Sequence, residues 1–298
     1  MKTATKLSLC LALVLLAGQS FAGQKFESLA EFNQVHGNHI VLDMPWLEPV
    51  LFQGYLNAGT VSSNSYNTPY YDAGIGAAGP AIQILAQVIG TKSARNRKYA
   101  KAQAEADQVL AEHTDMVQAI SHEDLYLQFK QQALIAEHSV EVFTPDKNEL
   151  KFFIALEPVF TISQDKSSMM LNNKVQIYSR KKPKKPVFTQ EFIVVSESIS
   201  TDQIDDYWRL DSKENFLDLS KYLFARSTEL MLAAMVSESI HEGKQKTFKY
   251  KFGNETRYER ATQVRYQHLD SSCDRTLVTT LASNLMSLPS ASLGCEEP

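Results

Sequence analysis

The chain is poor in cysteine. It has three among 298 residues: Cys10 falls in the leader described below, while Cys273 and Cys295 lack the C-x-x-C spacing of a reactive dithiol. Long apolar runs are missing too. The stretch 7–17 holds about 11 residues, where a helix crossing roughly 30 Å of hydrocarbon needs about 20, so it reads poorly as a retained anchor. There is no surplus of positive charge, since the formal charge is −4 at pH 7, and that balance argues against a nucleic-acid binder. Neither a G-x-S-x-G nucleophile elbow nor an H-E-x-x-H helix occurs. No internal repeat or long low-complexity linker divides the chain.

What is present begins with an export signal. Lys2 and Lys6 precede the apolar stretch, and Ser20-Phe21-Ala22 forms a small-x-small site, so cleavage is expected between Ala22 and Gly23. Loss of Lys2 and Lys6 moves the formal charge from −4 to −6. No cysteine follows the cleavage site, as lipid attachment would require. A periplasmic or secreted location is expected. In an oxidising compartment Cys273 and Cys295 read as one disulfide, closing a loop of about 20 residues and contributing about 3 kcal/mol in the chain-entropy model.

The hexapeptide GIGAAG, residues 74–79, matches the G-x-G-x-x-G pattern of dinucleotide loops. Such a loop needs a buried strand before it and an acid about 20 residues after it. Here the entry is the polar TPYYDA and the first later acid is Glu105, so no nucleotide cofactor is expected. The segment reads instead as a close-packing entry to an amphipathic helix at 80–89, carrying Ile82, Leu85, Ala86 and Ile89. Together with the cations at 92–101, residues 74–101 also suit peripheral contact with an anionic membrane surface.

The periodicity predicts helices at 26–35, across the alanine-rich stretch after residue 92, at 122–136, and from a cap at Asp211 or Ser212 to about Glu242, with Gly243 as the stop. A short strand is expected at 40–42, with Pro45 and Pro49 forbidding a continuous one. Runs 151–163, 171–179 and 187–196 alternate as an antiparallel meander around a lysine-proline loop at 181–186, with Pro158 marking an edge or bulge. A hairpin turning at Gly253-Asn254 follows, and 276–281 is expected as the last strand. The fold class is α+β: a mainly helical region at 23–138, then an α+β region at 139–298 whose antiparallel sheet is packed by the long helix.

Candidate chemistry is sparse. His36 and His39 form an H-x-x-H pair near Asp43, but they straddle Gly37, and scattered histidines are the expected reading. The basic run RKKPKK at 180–185 reads either as edge protection or as a contact for an anionic partner. Asn254-Glu255-Thr256 fits a glycosylation acceptor only formally. No catalytic, cofactor or metal residue is nominated. The layout of export signal, GIGAAG leading to SARNRKYAKAQAEAD, meander, FARSTELMLAAM, and the ending CDRTLVTTLASNLMSLP resembles a family of exported proteobacterial envelope proteins with no assigned activity. That resemblance implies compartment and architecture and carries no site residue. The expectation is a non-catalytic envelope binding or assembly module whose partner is an envelope protein or anionic surface, the alternative being a secreted hydrolase.

Overall fold

The computed structural model describes residues 25–56, 94–144, 151–208, 213–266, 269 and 275–290. In chain order the principal elements are α1 (Leu29–His36), β1 (His39–Asp43), β2 (Leu51–Gly54), α2 (Ala94–Ala106), α3 (His122–Ile135), β3 (Ser139–Val142), β4 (Phe152–Ile162), β5 (Met169–Ser179), β6 (Lys182–Val195), α4 (Lys213–Val236), β7 (Ile240–Phe252), β8 (Glu255–Arg265), β9 (Arg275–Thr280) and β10 (Leu285–Pro289). A 3-10 segment, Asp107–His113, and a single turn, Thr114–Val117, link α2 to α3. The fold is α+β, as the clustered strands imply.

All ten strands join one sheet in the order β3-β1-β4-β5-β6-β10-β9-β8-β7, with β2 pairing separately with β4. The meander is antiparallel along its whole length, from Phe152↔Ser179 to Ile162↔Met169 and on to Met170↔Val195. The added pairings β1–β3, β1–β4, β2–β4 and β10–β6 are parallel. Strands from the mostly helical first part therefore enter the same sheet as the later ones. Pro158 sits where this causes no loss: β1 covers Ile154 and Ala155, β2 covers Val159 to Ile162, and the residue without an N–H falls in the gap.

Alternation along the strands builds two cores. On one face Phe152, Ile154, Leu156 and Phe160 of β4, with Leu171, Val175 and Ile177 of β5, meet α1, α3 and α4. α4 supplies Phe216, Leu223, Phe224, Leu230 and Met231 to that layer. On the other face Val195, Met286 and Leu288 meet Phe248, Tyr250 and Phe252 of the last hairpin. The sheet coils far enough for the hairpin tip to reach the β4–β5 turn. Phe252 lies 5.2 Å from the Tyr55 ring, and a Cβ on Gly253 would sit 2.5 Å from Asp165 Oδ1. Gly253 has φ +65° while Asn254 does not take a positive φ, as a type II′ hairpin turn requires. Buried Arg275 ties three strands together, donating to Ser287 Oγ at 2.7 Å, to the Ser287 carbonyl at 3.0 Å, and to the Val195 carbonyl.

Three sequence expectations need correction. The long helix ends at Val236 rather than Glu242, because the apolar spacing stops at Met235 and SESIHEGKQK offers nothing to bury. Gly243 instead sits in β7 with φ +76°, where the ladder slips between Glu242 and Lys246. Residues 181–186 are not a loop, since β6 begins at Lys182, although 183–185 bulge out between the pairs Ser179↔Lys182 and Tyr178↔Pro186. Residues 276–281 are not the last strand, because β10 follows and buries every residue without alternation.

A polar clamp fixes β2 against α2. The Gly54 N–H donates to Asp107 Oδ1 at 2.7 Å, and Gln103 Nε2 donates to the Gly54 carbonyl at 2.9 Å. Gln164 Nε2 bonds the carbonyls of both Tyr55, at 2.8 Å, and Ala106, at 3.0 Å. The chain on either side of residues 57–93 is thereby held together.

Candidate binding cleft

A cleft of about 710 Å³ opens beside the N-terminus of α3, within the size range of small-molecule sites, roughly 300–1,000 Å³. Its first wall comes from the segment between β1 and β2. Pro45 and Pro49 interrupt the extended chain, and the Glu48 N–H donates to the Pro45 carbonyl at 2.9 Å, closing a turn. The residues inside that turn have no core to enter, so Trp46 and Leu47 are presented to solvent, Leu47 completely.

The second wall is α3, whose start is fixed by a capping box. Ser121 Oγ accepts from the Asp124 N–H at 3.1 Å while Asp124 Oδ2 accepts from the Ser121 N–H at 3.0 Å. The register set by this cap buries His122, Leu125, Phe129 and Ala133. Tyr126, one turn beyond His122, meets the Trp46 ring edge-to-face with centroids 5.4 Å apart. Ile120, Pro49 and Val142 complete the apolar lining, and Glu48, Glu123 and Gln118 complete the polar one. Leu134, near the end of the same helix, is exposed.

His122 is the unusual group. It is 4 % exposed, and neither ring nitrogen closes a hydrogen bond, although one faces the Pro49 carbonyl. Burial pushes its pKa down to about 4, with the carbonyl pulling weakly the other way. The imidazole is therefore neutral near pH 7. The Ser121 hydroxyl is committed to Asp124, to which it also donates, and so is not an imidazole-activated nucleophile.

That depressed pKa makes stability fall with acid. The unfolded histidine takes up a proton as pH drops through about 6.5 while the folded one resists until about 4, so His122 stabilises the fold fully above 6.5 and loses that contribution between the two values. Urea unfolding at pH 7.5 and 4.5 is expected to show a fall on the order of 2 to 3 kcal/mol in excess of that in His122→Leu. Equal falls in both proteins would contradict the buried neutral state.

The residues considered from sequence do not converge. His36 packs among rings, 4.7 Å from Phe32 and 4.6 Å from Phe152, and burial lowers its pKa, with Lys151 adding to the effect. His39 Nδ1 lies 2.8 Å from Ser139 Oγ across the β1–β3 pair. Asp43 is half-buried, and burial raises its pKa against the N–H of Met44. Among the described residues no group of three His, Cys, Asp or Glu side chains could hold a metal ion. Lys181, Lys182, Lys184 and Lys185 are exposed at the β5–β6 end, and the β6 edge from Lys182 to Gln190 has no strand partner on its β10 side among the described residues. Lysine and proline there suit edge protection.

Cys273, Cys295, Ala22, Gly23 and residues 74–93 lie outside the described residues. Among the described residues no helix is long and apolar enough to cross a membrane. Comparison of the chain with protein families, curated proteins and solved structures finds no match.

Sequence reasoning missed Trp46, Tyr126 and His122. The readable signal was PWLEP at 45–49, an aromatic held between two prolines, where neither strand nor helix can bury it.

Proposed function

We propose that the protein is an exported module of the periplasm or cell envelope that binds a small ligand, with the cleft lined by Trp46 and Tyr126 as its site. The supporting observation is the exposed Trp46 ring, packed edge-to-face on half-buried Tyr126, lining a concavity beside the N-terminus of α3. A ligand that covers the Trp46 ring removes its apolar surface from water, and that burial favours binding.

A thermal-shift panel of amines, quaternary ammonium compounds, sugars and short peptides tests the reading. At about 100-fold excess over Kd, a ligand adds about 2.7 kcal/mol, which is several degrees for a chain of this size. At least one class is expected to raise the melting temperature of the wild type and to leave Trp46→Ala unchanged. No shift with any class, or shifts retained by Trp46→Ala, would contradict it. Trp46 sits on an exposed turn, so its removal leaves the fold intact.

Export carries its own check. The species purified from the periplasm is expected to start at Gly23 with Cys273 and Cys295 joined. Intact mass showing residues 1–22 retained, or two thiols open to alkylation, would overturn that part.

A further inference from the structure

We infer that the cleft selects an organic cation, a quaternary or alkyl ammonium group carrying a short apolar portion; this rests on the binding reading above. The lining is asymmetric in charge. Glu48 and Glu123 stand on it, and among its described lining residues there is no lysine or arginine. The same concavity is lined by Trp46 and Tyr126, and an aromatic face attracts a cation through its quadrupole in addition to the apolar contact that a neutral group of equal size makes. Carboxylates and rings therefore favour the same charge.

Two features of the site could have favoured an anion, and neither does. The N-terminus of α3 carries partial positive charge, but the Asp124 carboxylate already occupies it, bonded to Ser121 N and Ser121 Oγ. His122, which also lines the cleft, is kept neutral by burial and adds no positive charge to repel a cation. Ile120, Pro49 and Val142 supply apolar area beyond the aromatic pair, enough for a ligand larger than a bare ammonium. An inorganic cation is a poor fit because among the described residues no group of three His, Cys, Asp or Glu side chains could hold a metal ion.

The test compares choline with 3,3-dimethylbutan-1-ol, its neutral isostere with carbon in place of nitrogen. Calorimetric titration of the full mature chain at low salt is run on the wild type, on Trp46→Ala and on the double substitution E48Q/E123Q. Both glutamates are exposed, and an unchanged melting temperature confirms that the double variant folds. Choline is expected to bind at least tenfold more tightly than the isostere. That preference should shrink about tenfold in E48Q/E123Q and weaken with added salt.

Equal, Trp46-dependent affinity for the two compounds would overturn the cation assignment and leave the cleft as a binding site. No binding of choline would also overturn it, and the thermal-shift panel then decides separately whether the cleft binds anything. A choline preference undiminished in E48Q/E123Q and in Trp46→Ala would place the cation elsewhere on the protein and overturn the assignment.

Discussion

Gly54→Ala is expected to destabilise the protein by about 3 kcal/mol or more, beyond the cost of a typical overpacking change. A Cβ at this position would overlap the carbonyl carbon and oxygen of Ala106. The obstacle is backbone, so no rotamer change relieves it. Either β2 withdraws from β4 or the α2 terminus moves away. The first breaks the ladder from Leu51↔Val159 to Gly54↔Ile162. The second strands Asp107 and Gln103, whose bonds to the Gly54 N–H and carbonyl form the clamp. Asp107 is poorly placed to lose partners, because burial already raises its pKa, offset by the bonds from Gln103 and Gly54. Urea unfolding of Gly54→Ala against wild type measures the loss. A change under about 1 kcal/mol would mean that the close approach of β2 to α2 is wrong.

Phe160→Ala is expected to cost about 3 to 5 kcal/mol, the range for deleting a fully buried aromatic ring. Phe160 has no exposed surface and stacks on Phe52 of β2 with centroids 4.8 Å apart and planes 14° from parallel. Phe52 in turn lies 5.0 Å from Phe216 of α4. Phe52 is thus the middle ring between its cross-strand partner Phe160 and the helix, and none of the neighbours of Phe160 can collapse into its space without leaving its own strand or helix. Phe160→Leu keeps most of the volume and is expected to lose less than half as much. Comparable losses for the two variants would show that the ring fills no specific cavity.

The parts of this fold that can be read in the sequence are those where one residue's neighbours in space are also near in sequence. Runs such as FFIALEPVFTI and TFKYKF alternate because one face is buried and the other wet, and Ser121 with Asp124 marks its helix start within four positions. The parallel additions are different in kind. LFQG is too short to alternate clearly, and LMSLP is buried at every position, so its partner Phe192–Val194 on β6 is invisible from sequence. Gly243 looked like a helix stop because glycine serves bulges and caps through the same positive φ.

The site was harder still. Its residues come from three separate stretches, around 46, 120 and 142, and His36, His39 and Asp43, though close in sequence, are turned to an aromatic cluster, a neighbouring strand and a half-buried strand end. Periodicity places His122 on a helix. Only the tertiary packing that brings the Pro49 backbone to the helix start makes it a buried imidazole beside a cleft.

The most direct measurement is the pair of indole N–H signals in a nitrogen-15 spectrum, because the chain has two tryptophans. Trp208 is buried, with its indole N–H donating to the Lys166 carbonyl at 2.6 Å, whereas Trp46 lines the cleft. Titration with choline is expected to move the Trp46 signal in a saturable way and leave Trp208 in place, with Trp46→Phe assigning the two. A titration that leaves Trp46 unmoved at saturating choline, or that moves Trp208 alone, would contradict a cation held in the cleft against Trp46.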